Sequence, residues 1–334
     1  RAAVNKMAKH VLNVLCSGNK KMWGYIMNWL ARMVTGHKLR TLLYFKSEEG
    51  TGKSTFTDFL RRWVLGDNVV YASGDVEHIT GSFNAILCGK ILNICEEMPT
   101  TSPSTWAALS CKLKNMVTGD TLPYNQKNEK KFAGPNITNF IVNTNHDALK
   151  AGRRIVMPDV SHSRVGDIPY FKDIVKDCFN IEVGEAFYSF LMERAAALGE
   201  WNEDEDKPKT RRGDQLKLNS MHPIHKFLKR KYLMKGLGLN CSYGDLNNKL
   251  ALWRGVGKED GADSKLWEKL QEIGIDTVTK HAGKRCYDVS AEKLLEIFQK
   301  KGFIGEFDEF SDASSSSGSQ GSIKKFCGEE SDEE

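Results

Sequence analysis

The apolar positions change period several times along the 334 residues, and each change marks an element. Val4, Met7, Val11, Val14 and Leu15 recur at steps of three and four, as do Trp23, Ile26, Met27, Trp29, Leu30 and Met33. This predicts packed helices over residues 3–35, closed by Gly36. Leu42-Leu43-Tyr44-Phe45 is a short unbroken apolar run, the pattern of a strand buried on both faces, and Phe56 to Leu65 returns to the helical period. Val69-Val70-Tyr71, Ile91 to Cys95 and Ile137 to Asn145 are further β-prone runs, with the apolar segment Phe83 to Leu87 ahead of the second. Helices alternating with buried strands predict an α/β core.

Past a loop at Pro158–Asp167, Tyr170–Cys178 and Glu185–Leu198 read as helices. Trp201 to Gly213 mixes Glu203-Asp204-Glu205-Asp206 with Lys207, Lys209, Arg211 and Arg212, which reads as a solvated, mobile linker. A basic helix from His225, helices at Tyr243–Trp253 and Ser264–Ile273, a hairpin over Thr277–Val289 turning at Gly283, and a helix over Ser290–Lys301 fit a small winged-helix-like module, with Lys280, Lys284, Arg285 and Tyr287 as candidate DNA contacts. The expected order is a helical cap over 1–38, an α/β core over 39–200, a charged linker over 201–218, the winged-helix-like domain over 219–305, and a disordered Ser/acidic tail over 306–334.

Composition narrows the class. With 40% hydrophobic and 27% charged residues, and no run of about 18 apolar residues, the chain reads as globular with no membrane span. Its eight cysteines form no C-x-x-C pair, so the expectation is reduced thiols in an intracellular protein, without zinc. The net charge of +5 divides into −4 on residues 311–334 and +9 on the rest, a basic body suited to a polyanionic partner.

The chemistry gathers at the ends of the predicted strands. Ser47-Glu48-Glu49-Gly50-Thr51-Gly52-Lys53-Ser54-Thr55 lies between strand and helix, the order a phosphate-binding loop requires. Gly50, Thr51 and Gly52 would bring backbone N–H groups to phosphates, Lys53 would reach the β- and γ-phosphates, Ser54 would offer its hydroxyl to Mg²⁺, and Thr55 opens the helix. Ser47 stands where the G-x-x-x-x-G-K-[ST] pattern has its first glycine, and Glu48 and Glu49 are expected to turn away from the phosphates. Ile91 to Cys95 runs into Glu96, assigned to the metal, and Glu97, assigned to the attacking water. Asn145 ends the fourth of these runs, Ile137 to Asn145, as a candidate γ-phosphate sensor, with Asn143 on the same face but deeper in the sheet. Arg153 and Arg154 are candidate arginine fingers for a neighbouring subunit. Lys112, Lys114, Lys127, Lys130 and Lys131, around a turn at Gly119-Asp120, suit a hairpin-like loop tracking a nucleic-acid backbone.

Taken in order, SEEGTGKST, ILNICEEMP, LKNMVTGDTLPYNQK and FIVNTNHDAL followed by AGRRIVMPDVS resemble the superfamily 3 helicases, in particular the helicase domains attached to phage and poxvirus-type primase-polymerases. The resemblance covers roughly residues 5–235. It implies an AAA+-like P-loop ATPase with ATP and Mg²⁺, a homo-oligomeric ring, usually a hexamer, and movement on single-stranded or forked DNA through central-channel loops. Any primase-polymerase domain would lie upstream of Arg1. Two alternatives stand beside this reading: a catalytically impaired nucleic-acid-binding remnant of a viral helicase, and a P-loop small-molecule kinase. DNA-stimulated ATP hydrolysis separates the first, phosphorylation of a nucleoside acceptor the second.

Overall fold

The computed structural model describes residues 1–75, 84–97, 103–146, 149, 152–255, 265–279 and 285–310. Lys280, Gly283, Lys284 and the tail beyond residue 310 lie outside them. The chain divides into two compact units, Arg1–Lys217 and Leu218–Glu334.

In the first unit, α1 (Ala2–His10) runs on into a π-helical turn, Val11–Leu15. Asn19 caps α2 (Lys20–Val34) by accepting from the Met22 N–H at 3.0 Å. There follow β1 (Leu42–Lys46), α3 (Lys53–Phe59) with a π-helical continuation at Leu60–Leu65, β2 (Val70–Ser73), β3 (Leu92–Cys95), α4 (Pro103–Thr118), β4 (Thr121–Tyr124) and β5 (Phe132–Pro135). The unit continues through β6 (Asn139–Thr144), β7 (Ile155–Val156), α5 (Ile168–Cys178), α6 (Ile181–Ala197) and α7 (Arg211–Ser220), and the division between units falls inside α7.

Five parallel strands form the central sheet in the order β2-β3-β6-β1-β7, with Leu42 opposite Phe140 and Ile155, and Leu92 opposite Asn139. Side chains alternate across it. Leu43 and Phe45 join Leu92, Ile94 and Ile141 under Met7, Trp29, Phe56 and Phe187 on one face. Leu42 and Tyr44 join Phe140 and Val142 under Leu113, Val117 and Tyr124 on the other. Both faces are covered, which is why β1 reads as unbroken apolar sequence. The α6 helix crosses the π-helical turn so closely that a Cβ on Gly184 would stand 1.9 Å from the Trp63 carbonyl oxygen.

Met7 and Trp29 of the N-terminal helices share one core with the sheet. The charged linker expected over 201–218 is where the structure differs. Residues 201–210 fold back instead of forming a solvated linker. The Glu203 carboxylate accepts from the N–H groups of Arg40 (2.7 Å) and Thr41 (3.0 Å), just ahead of β1, and Trp201 packs on Tyr25. Residues 211–218 belong to α7, whose first N–H groups donate to Asp159.

The second unit has α8 (Pro223–Lys231), β8 (Leu239–Ser242), α9 (Tyr243–Arg254), α10 (Leu266–Gln271), β9 (Val278–Thr279), β10 (Arg285–Val289) and α11 (Ala291–Lys300). Its antiparallel sheet runs β8-β10-β9, and its helices pack Phe227, Leu246, Leu270 and Phe298 around Tyr287. Tyr287 is fully buried, which removes it as a DNA contact, whereas Arg285 is exposed. The basic face of α8 is also interrupted, since Lys229 turns inward to an ion pair with Asp308 at 2.5 Å.

Candidate functional site

The parallel sheet sends the C-terminal tips of β1, β3 and β6 to one edge, where such sheets open a crevice. A cleft of about 500 Å³ lies there, lined by Glu49 to Thr55, Glu96, Glu97, Asn143 to Asn145, Gly166, Ile168 and Phe171. The expected residues Gly50, Thr51, Gly52, Lys53, Ser54, Thr55, Glu96, Glu97 and Asn145 are therefore brought together.

The loop after β1 turns through two left-handed glycines, Gly50 (φ 71°) and Gly52 (φ 93°). A Cβ on Gly52 would stand 2.6 Å from the His10 ring and 2.8 Å from that of Phe171, so a side chain is excluded there on both counts. Ser47 is outside the left-handed region, so a serine in place of the first glycine brings no strain. Its hydroxyl meets Thr51 Oγ1 at 2.6 Å and accepts from Lys53 Nζ at 2.9 Å. Lys53 Nζ also donates to the carbonyls of Ser47 and Glu48, both at 2.9 Å, and to Asn145 Oδ1 at 3.1 Å. Burial pulls the Lys53 pKa down, while the charges of Glu96 and Glu49 push it back up.

Glu96 is held from three sides. Ser54 Oγ donates to Oε2 (3.3 Å), Thr57 Oγ1 to Oε1 (3.2 Å), and Asn143 Nδ2 reaches Oε1 and Oε2 at 3.0 and 3.2 Å. Burial raises the Glu96 pKa, and the hydrogen bonds from Asn143, Thr57 and Ser54 oppose it by favouring the carboxylate. Glu97 takes a left-handed backbone, φ 49°, which costs a bulky residue about 1 kcal/mol. The chain just past β3 thus bears backbone strain at a residue that lines the cleft.

Three cleft residues escaped the sequence reading, and a fourth, Asn143, was read only as lying deeper in the sheet. Asn143 is 2% exposed yet lines the cleft, and its Oδ1 is buried with no partner. The i, i+2 spacing that placed Asn145 also pointed to Asn143; only the depth of the cleft was missing. Thr57 lies one helical turn past Lys53, on the same face of α3. His10 and Phe171 carry no local signal, because each reaches Gly52 from a distant helix. His10 is buried and its pKa lowered by that burial. The neutral ring donates from Nε2 to the Gly52 carbonyl (3.1 Å) and accepts at Nδ1 from the Tyr170 hydroxyl (2.9 Å). Glu49 also differs from expectation. It turns toward the cleft, where Oε1 accepts from Asn145 Nδ2 at 3.3 Å.

The remaining candidates lie elsewhere. Arg153 is exposed and Arg154 half-buried, just ahead of β7, and the Leu42 N–H donates to the Arg154 carbonyl. That is the N-terminal edge of the sheet, about 13 Å from the phosphate-loop edge at the usual rise of about 3.3 Å per residue. Lys127, Lys130 and Lys131 sit on the connection of the β4–β5 hairpin, as expected, beside the 48%-exposed Phe132. Lys112 and Lys114 do not; they belong to α4.

The chain is similar to several known proteins. Residues 45–159, which hold the Gly50–Lys53 loop, Glu96, Glu97, Asn143 and Asn145, match a family of unknown function (DUF5906). A DNA primase-polymerase of Nitratiruptor phage NrS-1 is 29% identical over 145 residues, covering 42% of this chain; the match spans about a fifth of that protein's length, 19%. Two apo structures of the NrS-1 C-terminal region share the fold. One, of residues 305–718, gives a TM-score of 0.60 at 16% identity, covering 85% of this chain and 75% of that one. The other, the A form, gives 0.61 at 15%, covering 86% and 75%. The chain is thus a mixed α/β protein with a central parallel sheet, similar over 42% of its length to a phage primase-polymerase.

Proposed function

We propose that this chain is the motor of a superfamily 3-type DNA helicase, an AAA+-like ATPase that hydrolyses ATP to move on single-stranded or forked DNA in viral-type replication. One observation carries the reading: the Lys53 ammonium, the Glu96 carboxylate and the Asn143 and Asn145 amides come from three strand tips to one cleft. The strand order contributes, because β6 lies between β1, which leads to Lys53, and β3, which leads to Glu96, and so sets its amides between the two charges.

The cleft has the size of a nucleotide site. Its loop edge offers N–H groups and an ammonium to phosphates, and Ile168 and Phe171 offer apolar surface to a base. The donor set also fits a magnesium ion, a hard cation that takes oxygen ligands. Ser54 Oγ and Glu96 Oε2 stand 3.3 Å apart, and the orphaned Asn143 Oδ1 is an acceptor ready for a water on such an ion. When bound, Mg²⁺ neutralises charge on the phosphate oxygens. Lys53 exchanges its loop carbonyls for the β- and γ-phosphates, Asn145 donates to the γ-phosphate, and Glu97 orients the attacking water. Arg153 or Arg154 completes the site of a neighbouring copy in a ring, in the hexameric form that the resemblance implies. The hairpin lysines follow the DNA backbone, the second unit acts as a winged-helix-like module, and a primase-polymerase domain or partner works beside the motor, as the name of the phage relative suggests.

The test is ATP turnover with and without single-stranded DNA, paired with unwinding of a forked duplex. DNA-stimulated turnover is expected, and Lys53→Ala should lower it at least about a hundredfold, the scale of losing one positioned cation on a transferring phosphate. ATP binding with no turnover would point to the impaired remnant instead.

A further inference from the structure

The one carboxylate of the phosphate loop that enters the cleft has no part in the scheme above. Glu49 is exposed, yet its Oε1 accepts from Asn145 Nδ2 at 3.3 Å while Asn145 Oδ1 accepts from Lys53 Nζ at 3.1 Å. The Asn145 amide thus bridges a cation and an anion. Glu48, next to it, points elsewhere: its carboxylate lies 3.6 Å from His162 Nδ1, and its side chain does not line the cleft. A carboxylate and a terminal phosphoryl group are both anions that only accept hydrogen bonds, so a donor arranged for one holds the other.

We infer that Glu49 is a built-in stand-in for the terminal phosphate, occupying the Asn145 donor until a nucleoside triphosphate displaces it. The inference rests on the nucleotide-site reading and gives the site a means of selection. A triphosphate must expel the carboxylate and then gains Asn145. A diphosphate, which does not reach that far, leaves Glu49 in place. After hydrolysis the returning carboxylate competes with the freed phosphate for the same donor and favours its departure.

The experiment measures affinities of the full chain for a non-hydrolysable ATP analogue and for ADP, each with Mg²⁺, in wild type, Glu49→Gln, Glu48→Gln, Lys53→Ala and the pair Glu49→Gln with Asn145→Ala. Glu49→Gln should tighten the analogue about tenfold, the order expected for relieving one like-charge contact near the surface, and ADP less than about twofold. Glu48→Gln should move both ligands by the same factor, as general repulsion does. In the Asn145→Ala background the selective gain should vanish. Equal tightening of both ligands by Glu49→Gln, with wild type binding and Lys53→Ala not, would overturn the stand-in alone. Binding indifferent to Lys53→Ala would overturn the nucleotide site and the inference with it.

Discussion

Asn143 and Asn145 stand two residues apart on one strand and serve different carboxylates. Asn145 meets Glu49 at the mouth, and Asn143 meets Glu96 at the floor. The floor contact matters more for the charge state, because Glu96 is desolvated and Asn143 is the first of the hydrogen bonds that hold it ionised. Asn143→Leu keeps the bulk and removes the donor. The sign follows directly: burial already raises the Glu96 pKa, the lost hydrogen bond had been lowering it, and so ionisation moves to still higher pH. The acid limb of ATP turnover should shift upward, with activity recovering on the alkaline side, and the Mg²⁺ concentration for half-maximal turnover should rise about ten- to a hundredfold, as when a partner of a metal ligand is lost. An unchanged pH profile and metal requirement would reduce Asn143 to packing.

Among the elements, the β4–β5 hairpin carries the claim to nucleic acid. Asn136 fastens its base, donating from Nδ2 to the carbonyls of Met116 (2.6 Å) and Gly119 (2.7 Å), and Arg40 pairs with Asp120 at 3.2 Å. Lys127, Lys130 and Lys131 project from the connection, and the hairpin turns through Asn128 at φ 66°. If each lysine meets one phosphate, replacing all three by alanine should flatten the slope of log affinity for single-stranded DNA against log salt by about 2. ATP affinity without DNA should be unchanged, since the hairpin base is anchored at the far edge of the sheet. This hairpin and the three strand tips were readable in the sequence because their signals are local: an apolar run buried on both faces, then a polar or glycine end, or a turn pair between basic residues. Residues 201–210 were not, because their charges imitate a solvated linker while Glu203 satisfies backbone donors 163 positions away at Arg40. Nor was His10, a helical residue whose partner at Gly52 only the folded chain supplies.

For the whole molecule the decisive fact is that the Gly50–Lys53 loop and the paired arginines stand on opposite edges of one sheet. Leu42, at the β1 start, donates to the Arg154 carbonyl, and the loop begins only after Lys46. A guanidinium extends about 6 or 7 Å from its Cα, so it does not span a strand length of about 13 Å to its own nucleotide. If these arginines act on phosphate at all, they act on that of a second copy, and the active unit is an oligomer in which every site is shared. The same reasoning predicts complementation. Lys53→Ala subunits have intact fingers and a broken loop; Arg153→Ala with Arg154→Ala subunits have an intact loop and no finger, and should bind ATP as wild type does. Each alone should hydrolyse ATP at least about a hundredfold more slowly than wild type. Mixed in equal amounts and allowed to exchange, random neighbours place a good loop beside a good finger at about a quarter of the interfaces, so turnover should return to roughly a quarter of the wild-type rate if sites fire independently, and below that if they fire in concert around a ring. Full hydrolysis by the arginine variant alone would remove the shared site, and with it the reason for these two arginines to lie where they do.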